Sequence, residues 1–78
     1  MIKLYRKQGG VLHYWETWNR TPKSATIHWG VVGERGDVKF VRATSQAKFT
    51  ALIQEEVAKK RQEGYTEPST EALLEIEY

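Results

Sequence analysis

Cysteine is absent from the chain, proline occurs twice and methionine once. Without thiols, neither a disulfide nor a thiolate metal site can staple the fold, and an intracellular setting is the simpler reading. No stretch approaches the roughly 20 apolar residues of a membrane span. Met1 to Gln8 also lacks the apolar core of a signal peptide, so a soluble, cytoplasmic protein with no membrane partner is expected. Nucleophile elbow, Walker loop and paired-carboxylate arrangement are all missing. His13 and His28 are the only histidines and have no carboxylate at an obvious ligand spacing, which argues against a metal site. A chain this short offers little room for a water-excluding pocket, so a non-enzyme without a cofactor is expected.

What is present fits one small domain spanning residues 1–78, in the size range where burial is limited and stability marginal. Packing falls to three Trp, four Tyr and two Phe. The net charge is only +2, yet it is unevenly placed. Residues 1 to 42 carry eight Lys/Arg against three acids, and residues 43 to 78 carry four against seven. A basic first half and an acidic tail can orient an anionic partner, although an ordinary solvated surface has the same composition.

Ile2 to Lys7 alternates apolar and polar residues, halts at Gln8-Gly9-Gly10, and is followed by an aromatic-rich extended run from Val11 to Trp18, a hairpin signature. Asn19 to Ser24 has the polar and proline content of a loop, and Ala25 to Val32 is β-branched and aromatic again. Asp37 to Arg42 places Val38 and Phe40 on one face, Lys39 and Val41 on the other. Thr44 or Ser45 can cap a helix running to Glu63, with Phe49, Leu52, Ile53 and Val57 as its apolar stripe and Gly64 as its stop. Pro68 prevents the helix from resuming, and Leu74, Ile76 and Tyr78 alternate as a last strand. The spacing therefore predicts an α+β fold, an antiparallel meander of about five strands with one helix packed across one face.

The stretch Trp29-Gly30-Val31-Val32-Gly33-Glu34-Arg35-Gly36 reads as a strand entering a tight turn. Gly33 and Gly36 suit the positive φ such a turn needs, and Gly30 permits a close approach beside Trp29. The pattern resembles the WGR domain, a small module named for Trp-Gly-Arg and found in DNA-damage-responsive poly(ADP-ribose) polymerases and in short bacterial proteins. The order of the later elements agrees: a strand, a helix closing on the Gly64-Tyr65 pair, then a short strand. The resemblance implies a non-enzymatic DNA-binding module in which the aromatic at Trp29 packs against sugar at a DNA end. Two departures limit it. Val31 stands where the family has Arg and can donate no hydrogen bond, so the relay to neighbouring domains seen in the polymerases is not expected. The loop before the last strand, basic in the polymerases, here holds Glu67 and Glu71.

Trp29 is thus a contact candidate, while Ile27 and Val31, on its face by alternation, suit a core role equally. Arg20, Lys23, Arg35, Lys39 and Arg42 lie in or beside the loops near the glycine turn and suit phosphate, Arg as a fork and Lys as a point charge. Lys59, Lys60 and Arg61 read instead as complements to the helix dipole. Two functions follow. One is binding of nucleic acid (DNA ends, nicks or single strands) through Trp29 and those cations. The other is a protein-interaction adaptor using exposed Tyr14, Trp15 and Trp18 and an open strand edge.

Overall fold

Four strands, β1 (Ile2–Gln8), β2 (Val11–Thr21), β3 (Ser24–Val31) and β4 (Asp37–Arg42), form one antiparallel sheet in sequence order, and helix α1 (Gln46–Gln62) follows. These elements come from a computed structural model that describes residues 1–67. The α+β class is as expected. The strand count among the described residues is four rather than about five, and the expected strand at Leu74 to Tyr78 lies outside them.

Each sheet joint follows from local chemistry. Gly9-Gly10 closes the first hairpin between Gln8 and Val11. The loop expected over Asn19 to Ser24 is shorter than its composition suggests. β2 continues to Thr21 and β3 starts at Ser24, leaving only Pro22 and Lys23 between them. Proline presets the turn's backbone, and polar side chains join its two ends: Thr21 Oγ1 is 2.6 Å from Ser24 Oγ and accepts from Lys23 N at 3.2 Å. A bulge between Asn19 and Thr21 absorbs the extra residue.

Register sorts the strand residues onto two faces. Leu4, Trp15 and Trp29 are aligned across β1, β2 and β3, as are Ile2, Thr17 and Ile27. These residues face α1. Leu4, Trp15, Ile27 and Tyr65 form the buried core, with Ile2, Trp29, Val41 and Val57 packed partly buried around it. Burying an aromatic or Leu side chain contributes about 1.5–3 kcal/mol, so this single layer holds most of the fold's stability.

Helix α1 begins where expected, with Ser45 Oγ accepting from Lys48 N at 3.2 Å, and Gly64 (φ 98°) ends it. Phe49 is its one buried residue among those described, and Leu52, Ile53 and Val57 are half-buried. Its far end is tied to β1. Arg6 donates to the Glu63 carbonyl at 3.1 Å, and its guanidinium lies 4.9 Å from the centre of the Tyr65 ring. Tyr5 and Thr66 then exchange backbone hydrogen bonds of 2.8 Å, which covers the β1 edge there. Lys59, Lys60 and Arg61 in the last turn pair with Glu55, Glu63 and Glu67. No helix among the described residues is long and apolar enough to cross a membrane.

Candidate nucleic-acid interface

The face turned away from α1 is built from the other half of each strand's alternation, and its residues form cross-strand rows. Tyr5, Tyr14 and Gly30 make one row; Lys3, Glu16, His28 and Val38 make the next; Trp18, Thr26 and Phe40 make a third. Val38 (54 % exposed) and Phe40 (66 %) share one face, as alternation requires, and among the described residues that face carries no helix. Trp18 is 37 % exposed, whereas Thr26 between the two rings is only 5 % exposed.

Three of the proposed cations gather at the Trp18 end of this face. The bulge redirects Arg20, whose guanidinium carbon lies 4.9 Å from the centre of the Phe40 ring. Arg42 pairs with Ser24 in the strand register, and Arg20, Phe40 and Arg42 line a common hollow of 460 Å³. Lys23 sits in the adjoining turn, its carbonyl accepting from Ala43 N at 2.9 Å. Among the described residues, none of Arg20, Lys23 and Arg42 has a carboxylate partner.

The other sequence-derived candidates lie elsewhere. Lys39 is on the helix side, 3.9 Å from Glu56 Oε1. Trp29 is on that side too, packed against the core and lining a hollow of 230 Å³ with Trp15, Lys39, Glu56 and Lys60. It is half-buried and belongs to the opposite face from Arg42 and Phe40. Trp15, expected as an exposed adaptor aromatic, is 1 % exposed. Its odd position in β2 turns it to the core, whereas Tyr14 and Trp18 face away from α1.

Arg35 lies in the glycine turn before β4 and does not line the hollow that Arg20 and Arg42 share. Gly33 (φ 94°) and Gly36 (φ 73°) both hold the positive φ expected of them. Gly36 has the tighter constraint. A Cβ there would strike the Tyr14 hydroxyl and stand 2.5 Å from the Trp29 carbonyl oxygen, and a Cβ on Gly30 would stand 2.7 Å from Gly36 Cα. The turn therefore folds back onto the open face, and only hydrogen at Gly30 and Gly36 lets it do so.

Histidine 28 holds that turn in place. Its Nδ1 lies 3.0 Å from Glu16 Oε1, and its Nε2 lies 3.1 Å from both the Arg35 carbonyl oxygen and the Tyr14 hydroxyl. Carboxylate and carbonyl only accept, so the doubly protonated imidazolium satisfies both nitrogens at once. The hydrogen bond to Glu16 raises the His28 pKa above 6.5; partial burial opposes it, and the Arg35 carbonyl and the charges of Glu16 and Asp37 add to the rise. Burial, then the same two carboxylates, raises the Tyr14 pKa. Lys3 Nζ, 3.5 Å from Glu16 Oε2, completes the chain. Sequence reading left this network unseen because His28 is distant in sequence from Tyr14 and Glu16 and meets them only through the β2–β3 register. Trp18 did leave a signal: within β2 it shares alternation parity with the polar Glu16.

No family model, curated protein or solved structure matches the chain. The resemblance to the WGR domain therefore rests on the Trp29 to Gly36 stretch and on element order.

Proposed function

We propose that the chain is a non-enzymatic, WGR-like module that binds DNA in the cytoplasm, holding the phosphate backbone at the Arg20, Lys23 and Arg42 end of its open sheet face. The observation that carries this reading is the convergence of those three cations from β2, the β2–β3 turn and β4, with no carboxylate partner among the described residues. Backbone contacts of this kind supply much of the affinity for nucleic acid, and each releases counterions, so binding weakens as salt rises. Arginine forks match phosphate geometry, and Arg20 is already oriented by Phe40. Arg35 and Lys39 lie away from this cluster and take no part in it.

The test is a titration of labelled nicked, blunt and single-stranded DNA at two salt concentrations, with wild type and an Arg20→Gln, Arg42→Gln double variant. A Kd tighter than about 10⁻⁶ M at physiological salt exceeds ordinary non-specific binding. Loss of two phosphate contacts should flatten the salt dependence by roughly 1.4–1.8 logarithmic units per tenfold salt. Affinity for DNA that ignores both salt and the double variant contradicts the proposal.

The adaptor reading keeps one specific support. β4 is an edge strand of the four-stranded sheet and exposes Val38 and Phe40, an arrangement that a partner peptide can extend by adding a strand. Such binding would be largely insensitive to salt.

A further inference from the structure

Resting on the DNA reading above, we infer that Trp18 and Phe40 form a two-ring stacking platform for unpaired bases, so that the ligand is single-stranded DNA rather than a closed duplex. Trp18 and Phe40 are both opposite Thr26, one from β2 and one from β4, so two interstrand steps separate them. At the usual strand spacing that is roughly 9–10 Å. Neighbouring bases stacked in a duplex strand are about 3.4 Å apart, with their faces covered by each other. Away from its ends a duplex offers neither ring a free base face, whereas an extended single strand can lay bases over both while its phosphates reach the cations beside them.

The surroundings of the rings match such a strand. Thr26 is buried between the rings although its face carries no helix among the described residues, leaving them as the raised features of this row. Arg20 lies over Phe40, which fixes the ring and sets a positive charge beside its exposed remainder. Arg42 lines the same hollow as Phe40, whose 460 Å³ falls within the ~300–1,000 Å³ typical of ligand sites. A neutral apolar peptide would cover the rings as well, but it would leave the Arg20 and Arg42 charges beside them without a counterpart. The aromatic and cationic pairing found here is the usual equipment for single strands.

Fluorescence anisotropy with a labelled oligothymidylate and a duplex carrying the same number of phosphates tests the inference on the full chain. Phe40→Ala, Phe40→Leu, Phe40→Trp and Trp18→Ala are compared with wild type, and thermal melting confirms that each is folded. The expected result is single-strand binding at least tenfold tighter than duplex binding. Phe40→Ala, Phe40→Leu and Trp18→Ala should each lose roughly tenfold on the single strand only, the worth of one stacking contact, and Phe40→Trp should retain wild-type affinity. If Phe40→Leu binds as wild type, the ring serves as apolar surface and the stacking role is overturned. Equal single-strand and duplex affinities, both salt-sensitive and unchanged in Phe40→Ala, also overturn it while leaving the DNA reading intact. Absence of DNA binding at low salt would remove both.

Discussion

The two faces of this sheet are made by the same strands and share an aromatic character, yet they differ in what their aromatics do. On the helix side Trp15 and Trp29 are opposite one another, and the first is fully enclosed while the second packs partly buried against the core. On the open side Trp18 and Phe40 flank Thr26 with much of their surface in solvent, and Arg20 lies over one of them. The cations nearest these aromatics divide the same way. Lys39 reaches Glu56 and Lys60 reaches Glu63 on or beside the helix, whereas Arg20, Lys23 and Arg42 lack such partners among the described residues. The comparison teaches that a tryptophan's neighbour in sequence is a poor guide to its role; its parity within the strand is a better one.

Substitutions at the core should break the covered face first. Trp15→Ala removes an aromatic that is 1 % exposed and should cost about 3–5 kcal/mol, a large fraction of a small domain's stability. Urea unfolding measures the loss; a change under about 1 kcal/mol would show that the covered face does not carry the fold. Next in size is Gly36→Val. Positive φ alone costs on the order of 1–3 kcal/mol for such a residue, and the contacts with Tyr14 and Trp29 add overpacking. Gly33, at φ 94°, has nothing within 4 Å of an added Cβ, so Gly33→Ala should cost only about 1 kcal/mol. Equal losses at the two glycines would remove the folded-back turn from the account.

A smaller effect, with a definite sign, belongs to His28. Its folded-state pKa is raised, so the folded protein binds more protons than the unfolded chain over the interval between the two values. Stability from the His28 clamp is therefore fully present below about pH 6.5, the ordinary value, and is lost as pH rises through the raised one. The difference in melting temperature between wild type and His28→Gln should shrink across that window. A gap that widens with rising pH would mean that the neutral imidazole is the stabilising form.

Much of the fold was legible because the governing signals were local. Alternation in Ile2 to Lys7 and Val11 to Trp18, the glycine pair between them, the Ser45 cap and the Gly64 stop all act within a few residues, and all have their expected places. The loop at Asn19 to Ser24 was overestimated because hydroxyl pairing across Thr21 and Ser24 lets a polar stretch continue as strand. The site was only half legible. Arg20, Lys23, Arg35, Lys39 and Arg42 could be named from their residue type, but their division among a cluster, the glycine turn and the helix side depends on the bulge, on the strand register and on where α1 lies. Phe40 was assigned to the face opposite Val41 correctly. That this face is the open one follows from Ile27 and Trp15 being buried on the other, a fact of register between strands rather than of any one strand.

The smallest expected effect on stability comes with the sharpest test of function. Phe40→Ala should leave stability within about 0.5 kcal/mol, as surface substitutions do. Trp29→Ala should destabilise the fold, by less than the roughly 3–5 kcal/mol of a fully buried tryptophan because Trp29 is only half-buried. Measured side by side against one single-stranded DNA, at a temperature where both variants are folded, the two should separate cleanly. The account predicts roughly tenfold weaker binding for Phe40→Ala and wild-type affinity for Trp29→Ala. The reverse, with affinity lost at Trp29 and kept at Phe40, would contradict it and assign recognition to the helix-covered face.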